Sequence, residues 1–399
     1  MINLEKKYST LSKDDRLKLA QIMKRKRLEM GITLEKMSDG ICSTSYLSKI
    51  ENCLVDVDDY YYNVLFERLN LDYAELLQTR LLPIDADILN AYLENDLKAI
   101  HNYVSKTIDN NNYCDVETEL FLLLYNIINH NFDETNLIIS KIEVVFKVLS
   151  PDEQQFFQYL KALYSFYSSN YKELYDEILN LQKIQIKDEA LKIAVADLLL
   201  DYFFVTNKAG SFYNAFQDYL NLPLSLKYLR VRMKHQLQSL VLRADDPDVL
   251  DRIELLKNSS VRFMDVYNFY YVYYLVYKSR FQEAFDYMQD IKISGEILVL
   301  YAIVVDKLKN PDYYYQYLNF TEIKENSYCS LYSEVVNYYT LKFRNYDHSY
   351  LLNYIRRNLA SSEANSFRNL VFYYYEKEYC NLALELGRYK ELVKYYSKK

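Results

Sequence analysis

Hydrophobic positions along this chain recur every three or four residues almost from end to end, the period of amphipathic helices. One early stretch departs from it: residues 40–52, "GICSTSYLSKIEN", keep the helical spacing but carry mostly small polar side chains. Around it the pattern predicts five short helices. Ser12, with Asp14 and Asp15 behind it, supplies a capping hydroxyl and acids for a first turn. That helix runs through "RLKLAQIMKRKRLEM" and stops at Gly31. Thr33 caps a second, "LEKMSDG", which ends at Gly40. Ser43 caps a third, "TSYLSKIEN", with Tyr46 or Leu47 and Ile50 as its inward positions. "DDYYYNVLFERLN" and "DYAELLQTR" make the fourth and fifth.

Beyond Pro83 the helical pattern continues to the C-terminus, broken at intervals by short polar-aromatic segments. These breaks fall at Leu97, Phe132, Tyr171, Phe212, Pro247, Phe281, Asp312, Tyr346 and Tyr379, separated by 31 to 41 residues. A helix pair recurring near 34 residues marks a tetratricopeptide-like (TPR-like) array, in which each pair buries its apolar face against the next. The expected fold is therefore all-α. A five-helix module over residues 1–77 is followed by a linker at 78–90 and about nine helix pairs over 91–399. The chain has no Trp, and several units lack small packing residues, so the repeats are degenerate.

Composition supports helices. Only 5 Gly and 5 Pro occur in 399 residues, too few turn formers for a β-rich or α/β chain. The five cysteines (Cys42, Cys53, Cys114, Cys329 and Cys380) are odd in number and form no CxxC pair. They are expected as reduced thiols. The N-terminus is too polar for a signal peptide, and the longest apolar runs are too short to span a bilayer. A soluble cytoplasmic protein is expected, with no membrane contact. The 45 tyrosines fall at core-like spacing, where a ring can be buried and its hydroxyl kept wet.

Charge changes the picture at one end. Residues 1–54 carry 11 Lys/Arg against 7 Asp/Glu, and the remainder 37 against 48. A locally basic front on an acidic body suits a small nucleic-acid module attached to a part that avoids nucleic acid. Catalysis finds no support. The four histidines (His101, His130, His235 and His348) lack metal spacing, and no phosphate loop or nucleophile motif occurs. No enzyme, cofactor or metal is expected.

The polar stretch fits the second helix of a helix-turn-helix. That helix must enter a major groove about 12 Å wide with small hydrogen-bonding side chains foremost and apolar anchors behind. Thr44, Ser45, Ser48 and Lys49 are the outward set, with Leu47 and Ile50 as anchors. "RKRLEMGITLEKMSDGICSTSYLSKIEN" resembles the XRE (lambda-repressor-like) helix-turn-helix family. With helical repeats behind it, the chain is most similar to the peptide-sensing TPR regulators of Gram-positive bacteria, the Rap–Rgg–NprR–PlcR–PrgX group. It departs from the family at Leu34, where a phosphate-binding glutamine is common, and at Cys53, often glycine. The resemblance implies that Thr44, Ser45 and Lys49 read base edges and that Ser43, Tyr46 and Asn52 touch phosphates. It also implies an Arg27–Glu51 ion pair tying the first helix to the third.

The repeats carry a second expectation. Positions −13, −9 and −6 before each break share one helical face, and they include Asn126, Gln238, Asn268 and Asn337. Such amides can bond the backbone of an extended peptide, which is how the resembled regulators hold their signal. The sequence thus points to a transcription regulator that binds double-stranded DNA at an inverted-repeat operator as a homodimer and senses a short peptide. Two alternatives stand beside it. The repeats could serve a protein partner or dimerisation alone, or the chain could be a scaffold with a vestigial helix-turn-helix.

Overall fold

The computed structural model describes residues 12–73, 86–110, 116–168, 170–259, 261–293, 295–322, 333–361 and 370–397. All regular structure among them is helical. The first four helices are α1 (Lys13–Glu29), α2 (Leu34–Ser38), α3 (Thr44–Glu51) and α4 (Asp59–Arg68). Ser12, Thr33 and Ser43 cap the first three, each side chain accepting from the backbone amide three residues on. Leu19, Met23, Met37, Leu47, Ile50, Tyr62, Leu65 and Phe66 close one apolar core among these helices. The expected fifth helix falls mainly on residues 74–80, outside those described.

Helix pairs follow. The first three are α5 (Ala86–Leu93) with α6 (Leu97–Asn110), α7 (Val116–Ile128) with α8 (Phe132–Val145), and α9 (Pro151–Tyr167) with α10 (Tyr171–Lys183). Next come α11 (Glu189–Val205) with α12 (Ala209–Leu220), α13 (Leu229–Val241) with α14 (Val249–Ser259), and α15 (Met264–Tyr277) with α16 (Phe281–Gln289). The last are α17 (Gly295–Leu308) with α18 (Pro311–Glu322), α19 (Ser333–Phe343) with α20 (His348–Ser361), and α21 (Leu370–Glu385) with α22 (Tyr389–Tyr396). Helix α5 begins inside the stretch expected as linker, because Ile88, Leu89 and Leu93 have a core to enter. Among the described residues, no helix is long and apolar enough to cross a membrane.

Most of these pairs share one backbone device at the break. Asn95, His130, Asn207, Ser279, Lys309 and Asn345 all adopt left-handed φ, between 53° and 58°, just ahead of the second helix. In the typical break, the amide of the following residue bonds a carbonyl five residues back, as Asn131 does to Asn126 and Arg280 to Leu275, both at 2.9 Å. This is the Schellman closure, which satisfies the open carbonyls at a helix end. The break expected at Tyr379 is a misreading. Tyr379 is buried inside α21, and the chain turns eight residues later through Gly387, at φ 66°.

By packing, the chain forms two compact units: residues 1–161 with 181–191, and residues 162–180 with 192–399. In the second unit the first helices of successive pairs stack, α13 on α15, α15 on α17 and α17 on α19. In the first unit, α1 packs on α3, on α8 and on the 3₁₀ turn Phe146–Val148.

Candidate nucleic-acid interface

Helix α3 has two unlike faces. Leu47 and Ile50 are buried, whereas Thr44, Ser45 and Lys49 are exposed. Ser43 is exposed at the N-terminus, its Oγ accepting from the Tyr46 amide at 3.1 Å. Tyr46 is half-buried and meets the Tyr61 ring edge-on, with centroids 5.5 Å apart. Ser48 is half-buried, and its carbonyl accepts from the Asn52 side-chain amide at 2.6 Å. Asn52 Oδ1 in turn accepts from Lys24 Nζ at 3.4 Å. The expected reading set thus lies on or beside one exposed face of a short, capped helix.

What fixes this helix is a buried ion pair. Arg27 Nε donates to Glu51 Oε1 at 2.6 Å and its second terminal nitrogen to Oε2 at 2.9 Å. The remaining nitrogen donates to the Ile32 carbonyl at 2.8 Å. Arg27 is 7% exposed and Glu51 2%, so the two-toothed geometry operates out of water and locks the end of α1 to the end of α3. The turn between α2 and α3 passes through Gly40 at φ 68°. A Cβ there would meet nothing within 4 Å, so glycine answers the left-handed backbone, not a lack of space. Cys53 holds the same kind of conformation after α3, at φ 51°, with a side chain attached.

Two positioning roles escaped the sequence reading. Arg68 donates to the carbonyls of Lys36, Met37 and Asp39 at 3.3, 3.1 and 2.6 Å, closing the C-terminus of α2. Lys24 links α1 to Asn52, and its ammonium is pushed down from the ordinary lysine range. Burial is the main cause; Glu51 opposes it, while nearby Arg27 and Lys147 add to it. A basic run in a helix signals neither role by itself.

The four amides expected to meet a peptide occupy unlike surroundings. Asn126 locks its own break, donating to the Leu122 carbonyl and accepting from Asn131. Asn268 is buried and accepts from the Tyr287 hydroxyl at 2.7 Å. Asn337 is exposed. Gln238 is buried in a polar network, donating to Asp201 at 2.9 Å and to the Tyr270 hydroxyl at 2.8 Å, with Oε1 2.6 Å from His235 Nδ1.

That network was not legible as a cluster. Asp197, Asp201 and His235 bring ligand-capable atoms within 4.8 Å of one another, the donor set a metal ion would need. Lys234 Nζ already sits between the two carboxylates, 2.6 Å from Asp197 and 2.7 Å from Asp201, where its ammonium takes the place a cation would occupy. Burial alone would raise the Asp197 carboxyl. Lys234 and His235 outweigh it and hold the group down at about 2. The available signal was spacing: an acid pair and a Lys/Gln pair, each four residues apart, lie one repeat from each other.

No protein-family model matches the chain, and no curated protein matches it. Among solved structures, it is similar to Bacillus thuringiensis PlcR in complex with the peptide PapR7 and DNA. The identity is 14% over 82% of this chain and 99% of that one, with a TM-score of 0.30.

Proposed function

We propose that this protein is a cytoplasmic, sequence-specific DNA-binding transcription regulator that acts as a homodimer. The observation that carries the reading is α3: exposed Thr44, Ser45 and Lys49 on a helix whose opposite side is fixed by Leu47, Ile50 and the Arg27–Glu51 pair. A groove reader needs that combination, since base contacts discriminate only if the backbone behind them is held still. Ser43, Tyr46, Ser48 and Asn52 supply the flanking contacts. The test is selection of bound duplexes from a random pool by the full chain. An inverted repeat whose preference at one position is lost in Lys49→Ala is expected, and an unenriched pool would overturn the reading.

The repeat body is assigned a short peptide ligand, with Asn337 as the exposed amide open to it and Asn126, Gln238 and Asn268 as further candidates. Calorimetry with short apolar peptides, on wild type and Asn337→Ala, tests this. Peptides that bind neither protein would sink it. The second reading, in which the body serves dimerisation alone, draws on α22, where Tyr389, Val393 and Tyr396 lie exposed at helical spacing.

A further inference from the structure

Helix α1 faces two ways. Leu19 and Met23 enter the core shared with α3 and α4. Gln21 and Arg25, also buried, turn toward the repeats: Gln21 donates to Glu153 at 3.0 Å and Arg25 to Glu119 at 2.5 Å. Both links lie inside the first compact unit, as does the packing of α1 against α8 and the Phe146–Val148 turn. The helix-turn-helix is therefore seated on the first repeats by buried polar contacts as well as by chain connectivity.

That seating sets Lys147 beside the reading module. Lys147 is exposed on the turn that touches α1. Among the described residues it enters no ion pair. Glu143, one helical turn earlier and the natural partner, is taken by Lys161 at 2.8 Å. Lys147 lies within electrostatic reach of Lys24 and adds to the cost of that group's charge. Lys24 in turn holds Asn52 at the C-terminal end of α3. Lys24 already has the Glu51 carboxylate and the Asn52 amide oxygen beside it, whereas exposed Lys147, its natural partner Glu143 engaged by Lys161, leaves a positive charge beside the reading module for an anion from outside.

We propose that the duplex interface runs off the helix-turn-helix onto the repeat body, with Lys147 holding a backbone phosphate on a track that passes from Asn52 through Lys24. This rests on the DNA-binding reading above and adds to it a contact from outside the reading module. Such a contact neutralises charge and reads no base, so it strengthens all sequences alike. It also ties the pose of α3 on DNA to the first repeats.

The trial uses the full chain and a labelled random-sequence duplex, with binding followed by anisotropy across a salt series. Lys147→Gln should weaken binding and lower the slope of log K against log salt by about 0.9, the value of one phosphate contact. Lys147→Arg should restore that slope, and Lys98→Gln, an exposed change on α6, should leave it alone. Wild-type binding with an unchanged slope in Lys147→Gln overturns this inference and leaves the DNA reading standing. A wild type that binds no duplex overturns both.

Discussion

Removing the Glu51 carboxylate leaves the Arg27 guanidinium buried with the Ile32 carbonyl as its remaining bond. A buried charge stripped of its partner costs about 3–5 kcal/mol, far more than the intact pair contributes. Glu51→Ala should therefore lower the urea midpoint of the full chain, and Arg27→Met with Glu51→Leu should recover much of the loss. A double variant no better than the single would show that shape, not charge, carries the contact. At this scale the sequence was legible where side chains act on their own neighbourhood. Ser12, Thr33 and Ser43 cap the helices they precede, whereas the Arg27–Glu51 pair, 24 residues apart, is expected only from the family resemblance. Partners joined only by the tertiary fold left no trace. Gln21 and Glu153 are 132 residues apart and Arg25 and Glu119 are 94, and no periodicity connects either pair.

At the scale of elements, α3 separates two duties of one residue. Ser43 caps the helix through its Oγ, yet it is also exposed, and the proposed interface gives it a phosphate contact. Aspartate caps about as well as serine, so Ser43→Asp should leave the melting temperature nearly unchanged. Its carboxylate should repel the backbone and cut duplex affinity tenfold or more, since close like charges cost on the order of a kcal/mol or above. Equal affinity in binding titrations would remove Ser43 from the interface. Helix breaks show what element-level reading can reach. Those at Leu97, Phe132, Tyr171 and Phe281 fall on the first residue of the second helix. Asn, His, Ser and Lys take the left-handed turn position interchangeably, so no consensus residue marks it. Near the C-terminus, the aromatic-alanine pattern "EYCNLAL" mimicked a break that the backbone makes only where Gly387 relieves the left-handed turn.

For the whole molecule, the acidic body is held partly by charge networks between helices. Lys234 joins Asp197 and Asp201, while Lys307 and Lys342 join Asp306 and Glu378. The first network predicts how stability responds to acid. The Asp197 carboxyl is held at about 2 in the folded protein, against an ordinary value near ~4 in the unfolded chain. Because the folded value is the lower, the stabilisation is complete above the unfolded value and is lost as pH falls from about 4 through about 2. That difference is about 2 kcal/mol at pH 5 and roughly half as much at pH 3. Lys234 shifts upward for the same reason, burial opposing and the two aspartates prevailing, so its share persists at neutral pH and fades only in strong alkali. The other carboxylates also titrate below pH 5, so wild type alone cannot isolate the effect. The useful quantity is the gap in urea-unfolding free energy between wild type and Asp197→Asn. It should be widest near neutrality and narrow steadily between pH 5 and pH 3. A gap that stays constant over this range would mean that Asp197 contributes through packing and neutral hydrogen bonds, with no charge held against Lys234.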